Sequence, residues 1–404
     1  DDSGNTAHWV DAIGSVTLDT TAPDKPAGIT STGRNQRVAL RWEKNTAADL
    51  AGYLIYRSET PLSGYLQIGK TELNEYKDTD QNLANARTYY YRISAVDFAG
   101  NESRTEQAEG MPIAPGPTPV SGAIEADATW YSGASPYILE SNVTVKDKAL
   151  LTIEPGTEIQ SKGGGLVIEG RISARGDNDR IIRFDSAQDG QFWPGITFAS
   201  VKDRENHLAF VRVQNARTAV FCQASSPTIE QSEFTKNHEA IKIQGVFSKP
   251  LVSRNTLYKN KGAAISVSDG AAPRIVGNTI NDNDHTGVVL HSAAAEITQN
   301  TITRNKNNGI AVKGAEAVIF QNNLVDNQPY NVFGEMKGEP AKALNNWWGS
   351  AAMAAVLSGI HGRVDVSSVL DAPYPQGKAL AVPILDQKLE GAIQADAYLI
   401  LSRS

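Results

Sequence analysis

Ile275-Val276-Gly277-Asn278-Thr279-Ile280-Asn281-Asp282-Asn283 is followed by Ile297-Thr298-Gln299-Asn300-Thr301-Ile302-Thr303-Arg304-Asn305. Both read I-x-x-N-x-I-x-x-N, and the pattern returns as Ile319, Asn322, Leu324 and Asn327. Looser copies precede it: Val252, Asn255, Leu257 and Asn260; Ile229, Ser232, Phe234 and Asn237; and Leu208, Val211, Val213 and Ala216. Each unit continues into a small residue and a second apolar run, as in Gly287, Val288 and Leu290 or Gly309, Ile310 and Val312. A period near 22–23 residues is the mark of a solenoid. One coil cannot bury its apolar face alone, and stacking supplies the wall. Coils repeat at the strand spacing of about 4.8 Å, so equivalent residues form columns. Aliphatic columns are expected to fill the interior. The asparagines Asn255, Asn278, Asn300 and Asn322, and a second set Asn237, Asn260, Asn283, Asn305 and Asn327, are expected to stack at bends and satisfy turn backbone.

Working outward, Trp130, Pro136-Tyr137, Val143-Thr144-Val145 and Leu151-Thr152-Ile153-Glu154-Pro155-Gly156-Thr157 resemble the N-terminal coils of bacterial extracellular right-handed parallel β-helices. Leu166–Gly170 and Trp193–Phe198 continue that likeness, and Asn345-Asn346-Trp347-Trp348-Gly349 resembles the closing motif of the same group. A short Ala-rich helix over about residues 350–357 is expected to cover the last coil. The resemblance implies a pectate-lyase-like solenoid. It implies no single activity, because the group contains lyases, hydrolases, epimerases, adhesins and inert stalks.

Upstream the pattern changes to short alternating strands. Val38, Leu40 and Trp42 share one face, Tyr53–Arg57 reads as the next strand, and Tyr89, Tyr91, Ile93 and Ala95 recur at spacing two. With Leu83 six residues before Tyr89, this segment resembles the fibronectin type III family, which places Trp42 in a sandwich core and Tyr89 at a tyrosine corner. The expected fold class is therefore all-β, a sandwich plus a right-handed parallel β-helix.

Proline marks the seams. The expected divisions are residues 1–22, the last strand of a preceding module or a donor strand; 23–113, the sandwich; 114–119, a stiff Pro-rich linker; 120–375, the solenoid with its cap; and 376–404, a linker and a further opening or donor strand. Two internal echoes motivate the ends. Asp1-Asp2-Ser3-Gly4-Asn5 repeats the D-x-x-G-N turn of Asp97–Asn101, ahead of a strand expected at Ser15–Asp19. Gly391–Ala397 repeats Gly122–Ala128. If the chain self-assembles, residues 1–22 or 391–403 should complete a sheet in a neighbouring copy, and removing the tail from Glu390 onward should abolish polymers.

Composition narrows the function. The 404 residues carry a net charge of −7, which argues against nucleic acid and anionic membrane surfaces as partners. No apolar run reaches the roughly 18 residues of a spanning helix. The lone Cys222 leaves no disulfide within the chain, and neither a metal site nor a cofactor is expected. The best carboxylate column is Lys236, Lys259, Asp282, Arg304 and Asp326. Asp282 and Asp326 lie two coils apart, about 9–10 Å, near the far edge for a glycosidase pair. Arg304 between them instead suggests an ion-pair ladder on a solvent face. Thr256, Thr279 and Thr301 make a hydroxyl stack, and Gln299 and Gln321 an amide pair, with no nucleophile–base arrangement. Trp193, Tyr258 and Tyr330 are the aromatics that could stack on sugar rings. The expected function is a non-catalytic, extracellular or cell-surface structural module or filament unit, partnered by neighbouring modules or copies of itself. A carbohydrate-binding or adhesive module that contacts extracellular polysaccharide is the first alternative. A polysaccharide lyase or hydrolase is the second.

Overall fold

The computed structural model describes residues 18–199, 205–336, 339–382 and the strand Ala397–Leu399. The chain divides between Pro115 and Gly116 into two compact units. Much of the leading strand expected at Ser15–Asp19 lies outside the described residues; Leu18 and Asp19 are not in a strand.

Among its described residues the first unit has seven strands: β1 (Thr30–Arg34), β2 (Arg37–Arg41), β3 (Leu50–Ser58), β4 (Leu66–Thr71), β5 (Glu75–Asp78), β6 (Tyr89–Asp97) and β7 (Glu106–Gly110). They form antiparallel sheets in the orders β1-β2-β5 and β4-β3-β6-β7. Alternation puts Val38, Leu40, Tyr53, Ile55, Tyr91 and Ile93 into one core, with Trp42 edge-on to Tyr53 at 5.1 Å. Burying each such side chain is worth about 1.5–3 kcal/mol. The Tyr89 hydroxyl accepts from Ala84 N (3.0 Å) and donates to Asn82 O (3.3 Å), tying the β5–β6 crossover to the start of β6.

The second unit is a stack of coils, each contributing three short strands to three parallel columns. Arg274–Val276, Ala294–Thr298 and Glu316–Phe320 are successive rungs of the first column. Thr279–Asn281, Thr301–Thr303 and Asn323–Val325 belong to the second, and Val288–His291, Ile310–Lys313 and Val332–Phe333 to the third. Inward residues lie directly over one another. Ile229, Val252, Ile275, Ile297 and Ile319 line the first column; Phe234, Leu257, Ile280, Ile302 and Leu324 line the second. All ten are fully buried. Cys222 belongs to the third column, between Phe198 and Ile243, and burial pushes its thiol pKa up.

The closing helix is shorter and later than the sequence predicts, Met353–Ser358. Ser350 Oγ accepts from Ala352 N (3.1 Å), a local turn that competes with the helix and delays its start.

Candidate functional site

The bends between columns carry the polar chemistry. At the first bend a residue in the left-handed region is followed by the ladder residue: Gln231-Ser232, Arg254-Asn255, Gly277-Asn278, Gln299-Asn300, Gln321-Asn322 and Asn345-Asn346. A single left-handed residue turns the chain sharply, and the amide that follows points inward to satisfy what the turn exposes. Asn278 N and Nδ2 both donate to Asn300 Oδ1 (2.8 and 2.9 Å), while Asn300 Nδ2 reaches back to Ile275 O (2.8 Å). The same bonds link Asn255 to Asn278, Asn300 to Asn322 and Asn322 to Asn346.

A second ladder occupies the second bend, where Asn237 bonds Asn260, Asn260 bonds Asn283, Asn283 bonds Asn305 and Asn305 bonds Asn327. Three further members complete the ladders; Ser232 belongs to a looser copy of the repeat, and the other two lie outside the pattern. Asn346 extends the first ladder. Asn331 ends the second by accepting from Asn327 N and Nδ2, four residues away in sequence. Ser232 starts the first, its Oγ accepting from Val211 N (3.1 Å). The signal for Asn346 was its place in the closing motif; Asn331 carried none, being out of period.

Lys236, Lys259, Asp282, Arg304 and Asp326 all have left-handed φ, between 53° and 59°. They form the outer lip of the second bend, each just past a second-column strand, rather than a sheet face. This places their side chains in solvent and leaves the following asparagine inside. Arg304 grips Asp282 through Nε–Oδ1 and Nη2–Oδ2, both 2.8 Å. Hydrogen bonding to Arg304 holds the Asp282 carboxyl below its usual range against a smaller effect of burial, and the same bond raises Arg304. Asp282 and Asp326 are thus separated by an arginine committed to the first. The outward threonines Thr256, Thr279 and Thr301 share one column, and the Gln299–Gln321 amides lie 3.4 Å apart.

Of the three candidate sugar-stacking aromatics, Trp193 is buried. It lies parallel to Phe184 at 6.4 Å with Nε1 donating to Gln214 O, so it presents no face to a ligand. Tyr330 sits against His361 (5.0 Å), itself stacked on Phe333 at 4.8 Å.

Tyr258 lines an open groove of about 560 Å³ over the first bend, with Asn178, Ile181, Phe210, Glu233 and Arg254. The groove opens where the ladder asparagines give way to Ser232 and then to Val211. Glu233 accepts from Arg212 Nε (2.6 Å) and from the Tyr258 hydroxyl. That bond, followed by burial, raises the Tyr258 pKa. Glu230 is paired with His207 Nε2 (2.8 Å) and Arg254 Nη2 (2.6 Å). Burial pushes the Glu230 carboxyl up, but these two partners outweigh it and hold the pKa below the ordinary value. The sequence did not single out this cluster, because its members come from three coils at unequal offsets. In the sandwich, carboxylates of Asp19, Asp49 and Asp97 also converge within 4.8 Å. Asp97 accepts from Asn101 N (2.7 Å) and Nδ2 (2.8 Å), which binds the cluster into the D-x-x-G-N turn.

Residues 195–350 match the family described as the right handed beta helix region. The coil stack is a right-handed parallel β-helix. The unit before it is a fibronectin type III-like sandwich, with that family's strand order and tyrosine corner. A stretch of 134 residues is 34% identical to exoglucanase B of Cellulomonas fimi, covering 32% of this chain and 12% of that protein. Another of 85 residues is 39% identical to an amylopullulanase of Thermoanaerobacterium thermosulfurigenes, covering 21% of this chain and 4% of that protein. The chain therefore spans only a small part of the curated relatives it matches. Among solved structures, an Fn3-like protein from Clostridium thermocellum is 28% identical with a TM-score of 0.19, covering 24% of this chain and 97% of that one. A periplasmic alginate epimerase is 13% identical with a TM-score of 0.39, covering 56% and 61%. Among the described residues of the β-helix and sandwich, no helix is long and apolar enough to cross a membrane.

Proposed function

We propose that this chain is a non-catalytic structural part of a modular extracellular or cell-surface protein, its sandwich a spacer and its β-helix a stiff shaft joined to neighbouring modules or copies of itself. The observation that carries this reading is how the bend carboxylates are spent. Asp282 is clamped by Arg304, and Glu230 by His207 and Arg254. Both have lowered pKa values, opposite to what a general acid for glycoside cleavage needs. Partial matches to long glycan-active enzymes support an accessory module. Incubation with a panel of neutral and acidic polysaccharides should yield no new ends. Turnover that disappears in Asp282→Asn or Asp326→Asn would replace this reading with a lyase or hydrolase.

The groove favours a second reading, a carbohydrate-binding or adhesive module. Tyr258 and Arg254 offer a ring face and a half-exposed guanidinium beside an open channel. Binding on a glycan array that falls in Tyr258→Ala and Arg254→Ala would favour it; unaltered binding would dismiss the groove.

A further inference from the structure

The last coil of the β-helix ends on the strand Ile360–Asp365. Its first residues pair with Val332–Phe333 in the third column, and its last with Ala341–Lys342 in the first. Over the first-column part lies Ala397–Leu399, parallel, in the register Gly362↔Ala397, Arg363↔Tyr398 and Val364↔Leu399. The sequence leading into that strand, Gly391–Ala397, repeats Gly122–Ala128 at every position except Gln394 for Glu125. At the opposite end of the stack, Gly122–Ile124 lies in the third column, against Val143–Val145. Ala128–Trp130 lies in the first column, against Leu151–Ile153. Ala397 is the counterpart of Ala128, and it occupies the counterpart column. The strand that continues a first-coil sequence therefore lies on the last coil in the first column, two residues out of the register of a continuous stack: the position of Ala128, followed through Ala295, Ala317, Ala341 and Val364, is taken by Leu399.

We propose that this C-terminal face is an acceptor for a first coil, and that with the tail displaced it takes residues 122–130 of a second copy, stacking β-helices head to tail. The proposal rests on the structural-module reading and supplies its joint. An open parallel edge presents unpaired N–H and C=O groups, the template for strand addition. Among the described residues, Ala128–Trp130 pairs on one side only, so the opposite edge of a neighbour's first coil is available. The joint pairs unlike ends along the stacking axis, so each added copy leaves the same acceptor face open and builds a filament. The second column takes no part, because Ser368–Leu370 is already covered by the antiparallel strand Ala379–Ala381.

The test is a chain ending at Val382, compared with the full chain by sedimentation over a range of concentrations. The shortened chain should shift from monomer to a ladder of end-to-end oligomers, and a peptide of residues 387–404 should reverse the shift. Full-length Tyr398→Pro, which keeps the tail but removes one ladder N–H, should associate in the same way even if truncation frays the last coil. Shortened chains bearing Thr129→Cys or Arg363→Cys should form a disulfide heterodimer when mixed and oxidised, and no dimer separately. Facing parallel residues lie about 4.8 Å apart, within disulfide reach. A shortened chain and a Tyr398→Pro chain that both stay monomeric, or a mixture that gives no heterodimer, would overturn the proposal. So would association present in the full chain and abolished by truncation, which makes the tail a donor to neighbours. Glycan turnover would sink the structural-module reading without altering any of these results.

Discussion

Replacing Asn300 with alanine tests the ladder at its centre. Asn300 is fully buried, and its Oδ1 is the acceptor for Asn278 N. Its Nδ2 reaches Ile275 O, Thr298 O and Asn322 Oδ1. Alanine leaves the Asn278 N–H buried without a partner, at about 1–3 kcal/mol. It also removes amide bonds to the coils on either side, worth about 0.5–1.5 kcal/mol each. Thr298 O keeps Gly277 N, Asn322 Oδ1 keeps Asn300 N and Asn278 Nδ2 keeps Val252 O, so the damage stops there. The sum is about 2–6 kcal/mol, large against a typical stability of about 5–15 kcal/mol. The molecule holds its own control. Ser232 occupies a ladder position and accepts from Val211 N, so Asn300→Ser should recover the orphaned N–H and lose about 1–3 kcal/mol less than alanine. Urea unfolding gives the totals, and hydrogen exchange at the Asn278 amide isolates the site even where a solenoid unfolds piecewise. Equal losses for serine and alanine, or an alanine loss under about 0.5 kcal/mol, would show that the ladder does not act by satisfying bend backbone.

Four further outcomes are expected. Arg304→Ala should cost no more than about 1 kcal/mol, because the Asp282–Arg304 pair is solvent-exposed, and 0.5 M salt should shrink the difference in thermal melts. Asp282 has a lowered folded pKa, so its small stabilisation is present above its unfolded value near 3.9 and fades as pH falls through the folded value; the melting difference between the parent and Asp282→Asn should vanish in that acid range. Cys222 should resist iodoacetamide until the coil stack unfolds, since its thiol is buried and its pKa raised. Tyr89→Phe strands Ala84 N and should destabilise the sandwich by about 1–3 kcal/mol while leaving Cys222 protected.

Much of the architecture was legible because a coil repeats the same physical problem in each turn. Ile275, Ile297 and Ile319 recur because each must fill one interior position, and the asparagines recur because each bend exposes the same backbone groups. What periodicity could not convey was anything that breaks it. The charged column was readable as a column, but not as the outer lip of a bend, since that depends on the left-handed φ of Asp282 and Arg304. Trp193 was ambiguous because a tryptophan before Pro194-Gly195 fits a surface loop as well as a core plug; its partner Phe184 lies in the same coil, at an offset no repeat marks. The Glu230–Arg254–His207 and Glu233–Arg212–Tyr258 clusters join residues 21–25 apart, offsets that drift with coil length and match no motif.

The same regularity bears on what the shaft can do. A ladder asparagine accepts two bonds at its Oδ1 from the coil before it and gives two, from N and Nδ2, to the coil after it, so every coil presents the next with the donors and acceptors it received. Such a stack has no natural length; it ends only where a non-repeating feature intervenes. Asn331 ends the second ladder by turning it back within one coil, and Ala379–Ala381 closes the second column with an antiparallel strand. Among the described residues the first column has no such stop, and the strand found on it, Ala397–Leu399, follows a restatement of the sequence that starts the stack. Where termination is left to a removable strand, growth and capping compete for one edge, and the balance between them sets the length of whatever this module builds.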